Sequence, residues 1–223
     1  MFNLITSYYE TSTEERQQEL KQCLIHNAKN PHIKKIYLLN PAIFNLDFVE
    51  EEYKPKIVQH LVNDENRNRL YFDFAVKFIN ENTVDENCIL SNSDIYFDDT
   101  LRFLENYDFT KNVFVLAKYD NDLISSGATC SQDSWMFKSP LNIDLSKLKF
   151  QFGVPGCDNI FAGLMHLHGY KVYNPALSIK SHHLHASNYR NYSEANRIHG
   201  YYGFVNATSL ETLHKTEFHG HYQ

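Results

Sequence analysis

Three groups of residues in this 223-residue chain have types and spacings suited to chemistry. The first is the run Cys88-Ile89-Leu90-Ser91-Asn92-Ser93-Asp94-Ile95-Tyr96-Phe97. An apolar strand stops at a polar knot and then resumes with β-branched and aromatic residues. That is how an α/β protein brings a carboxylate to the carboxyl edge of its sheet, where ligands bind. Asp94, framed by Asn92 and Ser93, offers hard oxygen ligands suited to Mg²⁺ or Mn²⁺ carrying a phosphate. A strand-end turn, with the same side chains satisfying its backbone, is the alternative.

The second group is His182-His183-Leu184-His185, which ends a strand-like run over residues 178–184. Positions two apart on a strand share a face, so His183 and His185 can meet one metal ion or one diphosphate. The third is Gly153-Val154-Pro155-Gly156-Cys157-Asp158-Asn159, a turn that delivers Asp158 to the start of a helix. The partial positive charge of that helix end should hold the carboxylate ionised, ready to take the proton of an attacking hydroxyl. Asp133 is a second candidate for that proton. A plain helix cap is the other reading of Asp158. The Gly-Pro-Gly packing of the turn implies that its backbone approaches something closely.

These residues need a frame that gathers strand ends. The first strand is expected over residues 3–7 and runs into Ser7-Tyr8-Tyr9, a polar aromatic loop at the ligand edge. Ser12 and Glu15 have capping-box spacing before a helix whose stripe is Leu20, Cys23 and Leu24, closed by Pro31. Strands follow at 33–39 and 57–62, separated by an acidic stretch that reads as solvated surface. Arg69 is expected to open the next helix, one turn from Asp73, with the pair directed at the nucleotide end of a ligand or forming a surface ion pair.

Asp98 and Asp99 cap a short helix after the Asp94 strand, and residues 113–117 form a further strand. Residues 118–131 read as a long loop of the lid or acceptor-binding kind. Within Gln132-Asp133-Ser134-Trp135, the only tryptophan is either a sugar-stacking platform or core. His166 and His168 diverge on a helix, and His219 and His221 fall in a C-terminal tail of some ten residues expected to fray. Strand-like runs alternating with helical stripes predict one α/β domain over residues 1–223 with a mixed central sheet flanked by helices.

Composition narrows the class. A net charge of -6 argues against a general nucleic-acid binder, which needs a cationic face. Cys23, Cys88, Cys130 and Cys157 have no close pair, so free thiols in a reducing compartment fit better than a disulfide framework. No apolar run approaches a bilayer span and the start lacks a signal-peptide pattern, so a cytoplasmic protein is expected. The 15 Tyr and 16 Phe are compatible with binding sugar or base rings.

Taken together, the residues from Asn3 to about Tyr192 resemble the small nucleotide-sugar glycosyltransferases of GT-A fold, most closely the chlorella-virus type and its relatives in giant viruses and bacteria. The motifs that carry this are Ser93 to Phe97, Gln132 to Trp135 with Phe137-Lys138, Gly153 to Asn159, and Ser178-Ile179-Lys180 running into His183-Leu184-His185. The resemblance implies a Rossmann-type, mainly parallel sheet, a UDP-linked donor sugar, a glycan or glycoprotein acceptor, and Mn²⁺ or Mg²⁺ held by the acidic motif. It also implies a C-terminal histidine, His183 or His185, completing the metal site, and an Asp158 that acts as base or meets the acceptor. Ser7, Tyr8 and Arg69 would hold the nucleotide with Asn92 and Ser93, while Gln132, Trp135 and Asn159 would face the sugars. Asn92 stands where the family's motif has its first Asp, which makes metal affinity the open point. A non-catalytic glycan-binding module on the same shell is the alternative function.

Overall fold

The computed structural model describes residues 1–62, 69–185 and 194–223. Its strands and main helices, in chain order, are β1 (Phe2–Thr6), α1 (Glu14–Lys29), β2 (Ile33–Asn40), β3 (Ile57–Leu61), α2 (Phe72–Asn82), β4 (Asn87–Ser91) and β5 (Ile95–Phe97). They continue as β6 (Asn112–Asp120), β7 (Leu123–Ile124), β8 (Gln132–Lys138), α3 (Cys157–Leu167), β9 (Lys171–Tyr173), β10 (Ser181–His183), β11 (Tyr201–Val205) and β12 (Phe218–Tyr222).

Ten strands form one mixed sheet in the order β3-β2-β1-β4-β8-β6-β10-β5, with β7 and β9 also pairing with β6. The first four in space, β3, β2, β1 and β4, run parallel, the Rossmann-like half. Beyond β4 the direction reverses at β8 and again at β6, and β10 runs parallel to β6 while β5 opposes it. The predicted α/β class with a mixed sheet is what forms.

Both faces of the sheet are covered, which explains the nearly continuous apolar strands. Ile5, Leu90, Val113, Val115, Trp135 and Phe137 turn to one face, against α2 and α3. Their alternating neighbours Leu4, Ile89, Phe114, Leu116 and Met136 turn to the other, against α1. Trp135 is therefore core and no platform: it is 0% exposed, edge-on to Phe72 at 5.1 Å and to Phe161 at 5.5 Å between ring centroids. A strand buried on both faces leaves its aromatic side chain no solvent side on which a sugar could stack.

Three local expectations differ. Helix α1 starts after Thr13 without a side-chain cap, so the Ser12 and Glu15 box does not form. Helix α2 starts at Phe72, which puts Arg69 ahead of it in the connection. The C-terminal tail pairs as β12 with β11, with His221 stacked on Phe204 at 5.0 Å and Phe218 stacked on His166 at 4.0 Å. This hairpin lies on α3 across two glycines, because a Cβ on Gly163 would meet the Tyr201 backbone and one on Gly203 would meet Gly163. The close approach expected at the Gly-Pro-Gly turn has the same origin. Gly156 has φ +86, a conformation open to glycine, and a Cβ there would collide with the Tyr202 hydroxyl.

Candidate active site

The carboxyl ends of the parallel strands converge with the start of antiparallel β8 on one edge of the sheet. Ser7 and Tyr8 follow β1, Asn92, Ser93 and Asp94 follow β4, and His183 closes β10, while Gln132 and Asp133 open β8. They line a cleft of about 740 Å³, together with Arg69, Asp158, Asn159 and His185. All of the site residues predicted from sequence except Trp135 border it.

The metal candidates meet because β5 pairs with β10 in a register that sets His183 opposite Ile95, and the Leu184 amide then donates to the Asp94 carbonyl at 3.0 Å. Asp94 Oδ2 lies 3.3 Å from His183 Nε2 and 3.6 Å from His185 Nδ1. One ligand atom from each residue falls within 4.8 Å of the others, close enough for a single ion to be reached by small side-chain shifts. The other nitrogen of His183 sits 2.7 Å from Asp120 Oδ1, the carboxylate-histidine arrangement that orients an imidazole toward a metal. On this donor chemistry the residues fit a divalent cation.

The same oxygen already has a cationic partner. Arg16 Nη2 donates to Asp94 Oδ2 at 2.7 Å, and Nη1 donates to His185 Nδ1 at 3.0 Å, to Glu19 Oε2 at 2.9 Å and to the Leu184 carbonyl at 3.3 Å. Burial pushes the Asp94 carboxyl up, but the adjoining His183 and His185 imidazoles and the charges of His183 and Arg16 outweigh it and hold the group well below the usual range. For His183, burial acts downward and the bond and charge of Asp94 act upward, with a net rise.

Asp158 sits in the first turn of α3, where its Oδ2 accepts the Gln132 amide at 3.2 Å. The sequence expectation was a carboxylate held ionised by the helix end. In the fold, burial and the neighbouring charge of Asp133 outweigh the backbone N–H groups and push its pKa up to about 7. Asp133 is itself held on two sides: Lys118 Nζ lies 3.1 Å from Oδ2, and Asn92 Nδ2 donates to Oδ1 at 2.6 Å. Gln132 donates to the Thr129 carbonyl at 3.0 Å, while its Oε1 is buried with no partner among the described residues. The Asn159 amide is committed to the Gly203 carbonyl at 3.2 Å.

At the end of β1, the Tyr8 ring is 3% exposed and packs on Phe44 at 5.5 Å and Phe48 at 5.6 Å. Its backbone amide donates to Asn40 Oδ1 at 2.7 Å, which ties the β1 loop to the end of β2. Arg69 Nη1 reaches the Phe152 carbonyl at 3.4 Å, beside the Gly153 turn. Asp73, in the first turn of α2, accepts from the Phe74 amide, so the predicted shared helical face with Arg69 is absent.

Arg16, Lys118 and Asp120 were not found from sequence. Lys118 and Asp120 fell in the stretch expected as loop, where β6 instead continues to Asp120. Arg16 did carry a signal. It lies four residues before Leu20 on the stripe that buries Leu20, Cys23 and Asn27, and an arginine on a buried helix face needs a partner.

No protein-family model and no curated protein matches the sequence. Among solved structures, S. aureus TarS 1–349 resembles the chain at TM-score 0.51 and 12% identity, over 82% of this chain and 60% of that one. The mannosyltransferase PcManGT from Pyrobaculum calidifontis, in complex with GDP-Man and Mn²⁺, is similar at TM-score 0.49 and 14% identity, over 78% of this chain and 54% of that one. The glycosyltransferase GlyE of Streptococcus pneumoniae aligns at TM-score 0.38 and 14% identity, over 62% of this chain and 34% of that one. The chain thus spans 54% and 60% of the lengths of the first two. The likeness to TarS 1–349 is one of fold, a mixed α/β sheet with a Rossmann-like parallel half. Among the described residues no helix is long and apolar enough to cross a membrane.

Proposed function

We propose that this chain is a glycosyltransferase that moves a sugar from a UDP-linked donor to a hydroxyl of a glycan acceptor with the assistance of a divalent metal. The observation that carries this reading is the meeting, in one cleft at the carboxyl edge of a glycosyltransferase-like sheet, of the Asp94, His183 and His185 donor set with Asp158. Two imidazoles and one carboxylate suit Mn²⁺ better than Mg²⁺, which favours oxygen ligands throughout. When bound, the cation neutralises the charge that develops on the departing diphosphate.

The remaining steps belong to the chain. Ser7, Tyr8 and Arg69, with Asn92 and Ser93, hold the nucleotide at the ends of β1 and β4. Asp158 takes the proton of the acceptor hydroxyl as its oxygen bonds to the anomeric carbon and the bond from that carbon to the diphosphate oxygen breaks. A pKa near 7 suits this role, since a general base works best when it titrates near the operating pH. Burial and then the charge of Asp133 keep that pKa raised, and Asp133 is the second candidate for the proton. Gln132 and Asn159 line the sugar side, where Gln132 Oε1, with no partner among the described residues, can accept from a sugar hydroxyl.

The test is a thermal-stability screen against a panel of nucleotide sugars with and without Mn²⁺, followed by UDP release from the best donor. Stabilisation by a UDP-sugar that grows with Mn²⁺, together with UDP release, supports the reading. Binding without any UDP release points to the non-catalytic module, and no response to any nucleotide overturns the proposal.

A further inference from the structure

Arg16 borders the cleft and has almost no contact with solvent. It is 5% exposed, and its guanidinium is used on several sides: Asp94, His185, Glu19 and the Leu184 carbonyl on the two Nη atoms, and the Tyr9 hydroxyl at 3.4 Å from Nε. A guanidinium is a donor only, so the His185 Nδ1 it touches must present its lone pair to Arg16. That lone pair is the one His185 would offer to a cation through the same nitrogen. Asp94 Oδ2, the oxygen common to the two histidines, is likewise the atom nearest to Arg16 Nη2.

We infer that Arg16 and the divalent cation are alternative occupants of the Asp94 and His185 position, so that the arginine is a built-in competitor setting how tightly the centre takes metal. This rests on the metal-assisted reading above and adds to it a residue on α1. A nitrogen lone pair cannot serve both partners, and two cations sharing one carboxylate oxygen repel each other. Arg16 also has somewhere to remain once displaced. Glu19 and the Leu184 carbonyl grip Nη1 independently of Asp94, so the guanidinium can give up the ligands without becoming a buried unpaired charge. Without metal, Arg16 gives the buried Asp94 a counter-charge and a hydrogen bond at 2.7 Å.

The experiment is titration of MnCl2 alone into the unaltered protein, Arg16→Ala and Arg16→Gln, followed by the electron paramagnetic resonance signal of free Mn²⁺. Both variants should bind Mn²⁺ about ten- to a hundredfold more tightly, the worth of the charged hydrogen bonds that metal no longer has to break. The glutamine keeps a neutral N–H donor in case the alanine variant fails to fold. Equal or weaker affinity in folded variants, with clear binding by the unaltered protein, overturns the competition and leaves the metal reading standing. Absence of binding in all three overturns both. If neither variant folds, the unaltered protein still decides. Its Arg16 guanidinium ¹H–¹⁵N resonance must shift when diamagnetic Zn²⁺ saturates the centre, and an unmoved resonance under saturation sinks the idea.

Discussion

Asn92 and Asp133 are joined twice: the Asn92 amide donates to the Asp133 carbonyl at 3.0 Å, and Asn92 Nδ2 donates to Asp133 Oδ1 at 2.6 Å. The first bond extends the β4 and β8 ladder one residue past the pair of Ser91 and Ser134. The second explains why an amide stands here, because an Asp at 92 would set a carboxylate against a carboxylate. Asn92→Asp should therefore destabilise the protein by about 1–3 kcal/mol without improving Mn²⁺ affinity. For a chain of this size that is about 2–4 °C of melting temperature per kcal/mol, readable by differential scanning fluorimetry. A tenfold gain in Mn²⁺ affinity would instead identify 92 as a ligand position.

Asp158 gives the sharpest prediction on pH. If it is the base, activity with the donor saturating should rise with pH through about 7, as the carboxyl ionises. Asp158→Asn should keep donor binding, flatten that profile and lower turnover by about two to four orders of magnitude. Normal turnover with normal acceptor affinity would reduce Asp158 to a helix-end residue and move attention to Asp133.

The same shift has a consequence for stability, with a definite sign. The carboxyl titrates near 7 in the fold against 3.8 when free, so its protonated form favours folding. That contribution is complete below about pH 4 and is lost as pH rises through about 7. Asp158→Asn carries no charge at any pH and should gain stability relative to the unaltered protein above pH 7, with little difference at pH 4. Chemical denaturation at the two pH values measures this.

Among the described residues, Asp120 reaches the centre through its 2.7 Å contact with His183 Nδ1. Asp120→Ala should lower Mn²⁺ affinity about 10- to 100-fold by releasing the orientation of that imidazole. UDP affinity measured without metal should stay as it was, and isothermal titration separates the two. Mn²⁺ affinity that is unchanged would mean that strand β10 alone orients the ring.

Trp135→Ala should cost about 3–5 kcal/mol through the cavity left among Phe72, Phe152 and Phe161. Donor affinity in whatever fraction remains folded should match that of the unaltered protein. Selective loss of acceptor binding with little loss of stability would restore the residue to the sugar side.

What the sequence by itself determined is the part written in local periodicity. Alternating strands and helices, a carboxylate at the end of a strand, two histidines two positions apart where a strand ends, although β10 stops at His183, and an acidic residue in the first turn of a helix all depend on neighbours two to four positions away. The mixed sheet and most of the cleft lining were legible for that reason. What lay beyond reach depends on which strand pairs with which, and in what register. The antiparallel pairing of β5 with β10 carries His183 to Asp94, and the covering of both sheet faces turns Trp135 inward. Burial, and after it the arrival of Asp133 on β8, reverses the sign of the expected shift at Asp158. Arg16 shows the division within one residue: its helical stripe marks it as buried, yet only the packing of α1 on β5 and the segment after β10 brings its charge onto Asp94. Charge interactions fall off over a few ångströms, so their outcome belongs to the neighbours in space that long-range pairing selects.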